Sequence, residues 1–315
     1  MMQAITDASA THIQGDACPV CDYSTSLWRS KHTSVGNFSI NRCKRCNYAF
    51  VYPRPTTQFL RSFYSLSGHS RDGTDSGQTF QSVMAEEEAS PNSTIDAVRI
   101  IGTTVKLLSP DRRRLLKLLD VGCGYGFYSL EAIKQGFSVT AIELAETERA
   151  ISKQLAGVEP VNTTFEDFEA PAGTFSVIIM SQILEHALDI NVWLAKVNRL
   201  LQEGGVVAIA LPNFGSLFRL IMQENEPFIT PPAHLNFFSA DNLGQLLTRH
   251  GFEVRHVAWQ SRISQASLQR RLPFAGCLFG GVANLALKGI DQLQCGMMVN
   301  IYATKSTRDG MKEHR

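Results

Sequence analysis

The sequence predicts an α/β protein, a doubly wound parallel sheet preceded by a small cysteine-rich module. Three observations carry this expectation. Leu115–Gly126 (LLKLLDVGCGYG) runs five apolar side chains into three glycines at alternate positions, the pattern of a buried strand turning tightly into a helix. Beyond it, strand-like and helix-like stretches alternate through residue 304, as in an open parallel sheet. Upstream stand two C-x-x-C pairs, Cys18-Pro-Val-Cys21 and Cys43-Lys-Arg-Cys46.

The chain has 315 residues, 44% hydrophobic and 19% charged, enough for one sizeable core and a small accessory module. Thirty basic and twenty-nine acidic residues leave a net charge of +1, which gives no electrostatic case for a nucleic-acid partner. The first residues carry no basic-then-apolar pattern and no stretch long enough to span a bilayer, so the expected location is cytoplasmic. Residues 1–15 read as a disordered polar tail.

Four cysteines from two knuckles, with Val35–Ile40 a strand between them, match a closed tetrahedral Zn2+ site in residues 16–52. Cys18, Cys21, Cys43 and Cys46 are its expected ligands. Four thiolates leave no open position, so the metal is structural. A redox role would want one pair at a helix N-terminus in a thioredoxin-like β-α setting, which neither has.

Residues 53–110 read as a helical connector. Phe59–Leu66 is a short aromatic helix after the Pro53-Arg54-Pro55 break, and Thr94–Leu108 has helical spacing. Between them Ser67–Gly77 reads as a loop, either a lid over a ligand or a plain solvated linker.

The α/β domain is expected over 111–305. Gly122, Gly124 and Gly126 let the backbone take positive φ and let a ligand approach the main chain. The next helix, Tyr125–Gln135, aims its N-terminal amides into the same space. The dinucleotide pattern G-x-G-x-x-G is not met, because Phe127 stands where its third glycine would be. Instead Leu-Asp-Val followed by G-x-G-x-G resembles the first motif of class I S-adenosylmethionine (SAM)-dependent methyltransferases. That resemblance implies a seven-stranded Rossmann-like sheet whose last strand is antiparallel, with the turn holding the amino-acid end of SAM. It also implies an acidic residue after the second strand bonding the ribose, and Ser138–Ile142 followed by Glu143 and Leu144 supplies one. The implied cofactor-binding set thus includes Asp120, Gly122, Cys123, Gly124, Tyr125, Gly126, Glu143 and Leu144. The alternative is that the glycines only allow close packing and Glu143 is solvated.

Val158–Asn162 reads as a weak third strand. The following Phe165, Glu166 and Asp167 sit where the methyltransferase family grips adenine, although a carboxylate capping the loop is the competing reading. Phe175–Ser181 is a fourth strand, and Ser181, Gln182, Glu185 and His186 follow at its carboxyl end, where such sheets bind ligands. Many class I methyltransferases carry a similar Leu-Glu-His there, facing the methyl group. His186 reads equally as a structural hydrogen-bonding residue. Ile190–Leu201 is a helix stopped at Glu203-Gly204-Gly205, and Val206–Leu211 is the fifth strand. Leu211-Pro212-Asn213-Phe214 departs from the Asn/Asp-Pro-Pro-aromatic motif of amino-group methyltransferases.

Pro231-Pro232-Ala233-His234-Leu235-Asn236-Phe237-Phe238-Ser239 is a stiff loop with Ser239 placed to cap the helix Ala240–His250. It resembles the Glu-His-x-x-aromatic-Phe-Ser segment of zinc-containing sugar C-methyltransferases and of a wider group with His-Leu-x-x-Phe-Ser. That implies His234 as a base, although Ala233 replaces the glutamate that would orient it; the competing reading is a histidine that bonds the loop backbone and holds the pocket shut. Phe252–Gln260 and Met297–Thr304 are the last strands, and 263–295 between them contains an apolar insertion. Its uncharged stretch 272–287 is too short for a confident span and reads as a packed helix, a dimer contact or an interfacial segment. Residues 306–315 read as a tail.

Together these features point to SAM-dependent methyl transfer to a small molecule such as a nucleotide-linked or lipid-linked sugar, with His234, His186 and Glu185 as catalytic candidates. Two other readings stand beside it. One is a ribosomal-RNA methyltransferase gripping RNA through Lys44-Arg45 and nearby aromatics, and the other a non-catalytic zinc-ribbon interaction protein.

Overall fold

The computed structural model describes residues 17–67, 78–109, 116–261 and 285–306. The expectations for both tails, for most of the Ser67–Gly77 loop with its lid role, and for most of the apolar stretch 272–287 lie outside these residues.

The chain opens with β1 (Thr25–Thr33), β2 (Gly36–Cys43) and β3 (Ala49–Val51), paired antiparallel in that order. Three helices follow, α1 (Thr57–Ser67), α2 (Phe80–Ala89) and α3 (Asn92–Leu107). Sequence spacing shows α1 and α3 but not α2. Thr79 and Ser82 cap α2 reciprocally, which satisfies two orphan amides.

The α/β domain contains β4 (Lys117–Val121), α4 (Phe127–Lys134), β5 (Ser138–Ile142), α5 (Glu146–Ala156), β6 (Phe175–Ser181), α6 (Ile190–Leu200) and β7 (Leu201–Pro212). It continues with α7 (Leu217–Met222), β8 (Asn236–Phe237), α8 (Ala240–Arg249), β9 (Phe252–Gln260) and β10 (Met298–Lys305). Six strands form the sheet in the order β5-β4-β6-β7-β10-β9. The first four are parallel, and β10 runs antiparallel to both neighbours.

The third strand expected at Val158–Asn162 is a single parallel bridge, Ile142 to Val161, so the sheet has six strands rather than seven. Pro160 has no N–H to donate, and the pairing reduces to the two bonds around Val161. A second correction concerns Glu203-Gly204-Gly205. The helix ends at Leu200, and these residues lie inside β7, where Gly204 takes a φ of +69° and the register against β6 shifts.

Alternation along the strands splits the core into two layers. Ile178 and Met180 face α6 and α8, whereas Val177 and Ile179 face α3 and α4. The first layer also takes in Cys18, Cys43, Cys46, Tyr48 and Phe50. The cysteine module therefore packs as part of the same core. Its sheet continues into the α/β domain, because β8 adds to β3 as a fourth strand. β8 falls in the stretch that the sequence presents as a stiff loop. Ser239 caps α8 as expected, in a reciprocal box with Asn242.

Candidate active site

The glycine turn sits at the end of β4. Gly122, Gly124 and Gly126 all have positive φ, at 64°, 53° and 88°, a region that costs any side chain with a Cβ. Their surroundings differ. A Cβ on Gly122 would press on Ile183, and one on Gly126 would meet the Cα and Cβ of Ser152 at 3.1 and 3.0 Å. A Cβ on Gly124 would meet nothing within 4 Å. Gly126 is thus needed for helix packing, and Gly124 borders open space.

Glu143 turns into this turn. It is 4% exposed, and its carboxylate accepts from the amide of Gly124 at 3.0 Å and from those of Leu144 and Ala145 at 2.7 and 3.0 Å. The glycine turn and the acidic strand end therefore meet, as a nucleoside site between the first two β-α units requires. Leu144 stands about half exposed beside them. Tyr125 packs against the cluster around Phe127 and Ile151.

Asp120 is buried under the turn and accepts from the Ser129 hydroxyl at 2.7 Å. Burial, then the nearby charge of Glu143, push its carboxyl up to about 6, against the pull of the Ser129 bond. Cys123 points inward, with Sγ 3.8 Å from Ser152 Oγ, and burial pushes its thiol up.

On the adenine side, Phe165 is buried edge-on to Trp193. The Glu166 carboxylate accepts from Trp193 Nε1 at 2.9 Å, and Asp167 closes a turn with Thr164. Asp167 thus makes the local capping contact of the competing structural reading, whereas Glu166 is held by a ring 27 residues on. Ser181 donates to the Tyr128 hydroxyl. Gln182, at the end of β6, takes a φ of +56°, a conformation that non-glycine residues adopt chiefly where surrounding structure imposes it.

The turn Leu184–His186 follows directly. His186 Nδ1 lies 2.7 Å from the Ala233 carbonyl, and His234 Nδ1 lies 2.6 Å from that of Phe228. A carbonyl only accepts, so each Nδ1 carries a proton, and in the neutral ring each Nε2 has the lone pair. The two rings meet edge to face with centroids 4.9 Å apart. Each histidine makes the backbone bond of its structural reading, and the two rings lie side by side. Glu185 is 1% exposed, and neither oxygen has a hydrogen-bond partner among the described residues. Burial pushes its carboxyl up to about 8.

Glu185 and His234 border a narrow cleft that also meets Arg219, Glu226, Phe228 and Phe237. Arg219 is buried, donates to the Phe214 carbonyl and stacks over that ring at 4.4 Å. Sequence reading missed Arg219 and Glu226, which sit around a short helix with no motif of their own. It also missed the residues that hold the His234 loop. Asn236 accepts from the Tyr48 hydroxyl at 2.5 Å and from Arg54 at 2.6 Å. Its amide donates to the carbonyls of Ala187 and Glu185.

The four module cysteines are free thiols whose sulfur atoms all lie within 4.8 Å of one another. Cys18 to Cys46 and Cys21 to Cys43 are 3.5 Å apart, close to the ~3.8 Å edge of a tetrahedron with Zn–S bonds of about 2.3 Å. The amides of Arg45 and Cys46 point at the Cys43 sulfur. Donor set and spacing fit a tetrahedral thiophilic cation.

Comparison with known proteins agrees with this geometry. A family described as "Methyltransferase domain" matches residues 93–257, just over half of the chain. A ubiquinone biosynthesis O-methyltransferase of Mesorhizobium japonicum is 31% identical over 103 residues, 31% of this chain and 41% of that protein. One of Caulobacter vibrioides is 31% identical over 104 residues, with the same shares. The chain thus spans well under half the length of these relatives. A solved SAM-dependent methyltransferase from Archaeoglobus fulgidus superposes with a TM-score of 0.50 at 17% identity, covering 71% of this chain and 99% of that one. No helix among the described residues is long and apolar enough to cross a membrane. A family match over half its length, on a sheet whose glycine turn and acidic strand end converge, makes the chain a member of the methyltransferase-domain family.

Proposed function

We propose that the protein methylates a small-molecule acceptor, a nucleotide-linked or lipid-linked sugar or a related metabolite, bound in the cleft beside His234. One observation carries this reading. The segment 182–186 touches the glycine turn through Ile183 at one end and borders the cleft through Glu185 at the other. A methyl donor on the turn and an acceptor in the cleft would then face one another.

SAM would supply an electrophilic methyl group on a sulfonium. Glu143 would bond its ribose, and the glycine turn would hold its amino-acid end. On transfer the methyl group would leave sulfur, which would keep the electron pair of the broken S–CH3 bond, and would be bonded by a lone pair of the acceptor. The protein's task is alignment and removal of the acceptor's proton. His234 Nε2, whose lone pair is set by the Nδ1 bond to Phe228, takes that proton in this reading. The names of the relatives favour oxygen as the attacking atom. Zn2+ on Cys18, Cys21, Cys43 and Cys46 acts as scaffold, since four thiolates close its shell.

Methyl-labelled SAM incubated with the protein and a cell metabolite extract tests the proposal. A labelled small molecule is expected, with His234→Ala slowing its formation about 10²- to 10⁴-fold while SAM binding is retained. Label only in RNA, or a His234→Ala variant as fast as wild type, would overturn it.

A further inference from the structure

Glu185, His186 and His234 form a second cluster of donors, distinct from the four cysteines. One donor atom from each lies within 4.8 Å of the other two. Glu185 is the most informative member, being 1% exposed with neither oxygen hydrogen-bonded to another side chain or backbone group among the described residues. A fold rarely buries a carboxylate that way without something to satisfy it. Asn236, which lines the same cleft, spends its Nδ2 on the backbone carbonyls of Leu184, Glu185 and Ala187.

The histidines have the outer contacts of metal ligands. Each gives its Nδ1 proton to a backbone carbonyl, Ala233 for His186 and Phe228 for His234. Such bonds fix the ring and leave Nε2 as the donor. Those carbonyls belong to the loop that β8 anchors to β3, so the donors are held by backbone rather than by other mobile side chains. Two imidazoles and one carboxylate suit a divalent first-row transition ion and leave further positions open.

We propose that Glu185, His186 and His234 bind a divalent transition-metal cation at the wall of the acceptor cleft. Binding follows from the cluster alone; its use in the reaction rests on the cleft being the acceptor site. There, an acceptor hydroxyl could take an open position and release its proton to water more readily, because a bound cation lowers the pKa of a ligating oxygen. His234 is then a ligand in the loaded protein and a base in the cation-free one.

Co2+ titrated into the purified protein, with its cysteine site filled by Zn2+, tests this. The expected result is one equivalent of Co2+ with weak visible bands and no thiolate charge-transfer band. Glu185→Gln and His186→Gln should each weaken binding at least about tenfold while circular dichroism matches wild type. No visible band, a spectrum of thiolate bands only, or undiminished binding in either folded variant would overturn the site. Should Glu185→Gln fail to fold, His186→Gln decides. Calorimetry with SAM on the same wild-type sample separates the two readings. Lost SAM binding with retained Co2+ would sink the methyl-transfer reading and leave the metal site standing.

Discussion

Replacing Gly124 with Asp separates a ligand role for the glycine turn from a packing role. Gly124 has a φ of +53° and open space where a Cβ would project. The left-handed region costs an ordinary residue about 1–2 kcal/mol, and Asp tolerates it better than most. Folding stability should therefore fall by about 1 kcal/mol, a shift in Tm of roughly 2–4 °C for a domain of this size. The new carboxylate would stand in the space assigned to the amino-acid end of SAM. Like charges brought together cost several kcal/mol, so SAM affinity should fall at least about 100-fold. Gly126→Ala should behave in the opposite way. Its Cβ would come within 3.1 Å of the Ser152 backbone, and overpacking of about 1–3 kcal/mol adds to the left-handed cost. Thermal unfolding and calorimetry on both variants provide the check. A folded Gly124→Asp protein that binds SAM within about threefold of wild type would refute the cradle.

Asp120 supplies a pH dependence. Its folded value of about 6 lies above the ordinary 3.8 of an aspartate, so its favourable contribution is complete below about 4 and disappears as pH rises through 6. The difference is on the order of 3 kcal/mol, and Asp120→Asn should show a correspondingly shallower decline in urea-denaturation stability between pH 4.5 and 7.5; parallel curves would contradict the assignment. Cys43→Ser removes a fully buried donor from the cysteine cluster. Bound zinc, measured by elemental analysis, should be lost and methyl transfer should collapse with it, whereas full activity in a zinc-free variant would show the metal to be dispensable. Asn236→Ala strands the Tyr48 hydroxyl and several carbonyls. At about 1–3 kcal/mol per unsatisfied group, denaturation should reveal a loss of at least 3 kcal/mol, with kcat reduced and SAM affinity unchanged; a drop in SAM affinity alone would place Asn236 in the wrong site.

What the sequence showed plainly was local. The turn Gly122–Gly126 and Glu143 lie on consecutive β-α units, so spacing alone brings them together, and the bond from the Gly124 amide to Glu143 realises that proximity. The two C-x-x-C pairs are likewise local devices whose sulfurs converge. Where local rules competed, reading failed. Pro160 reduced an expected strand to one bridge, and Gly204-Gly205, which resemble a helix stop, instead form an irregularity in β7. The acceptor side was legible only as isolated residues. Glu185 and His186 lie some fifty positions from His234 in the chain, and no periodicity says that their donors meet within 4.8 Å.

The least legible feature, β8, also explains why a cysteine module accompanies this fold. His234 sits two residues before β8, on a loop that would otherwise hang from Pro231-Pro232 and the cap of α8. Pairing of β8 with β3, the Val51 amide on the Leu235 carbonyl, and Arg54 on that carbonyl and on Asn236 fix it from the module side. The Leu235 amide in turn bonds the Glu185 carbonyl from the sheet side. β3 follows the second cysteine pair by only two residues, Asn47 and Tyr48, so a cation held by Cys43 and Cys46 would also set where β3 begins. A structural metal can thereby govern the placement of His234 without touching the acceptor, and its loss should depress turnover before it depresses cofactor binding.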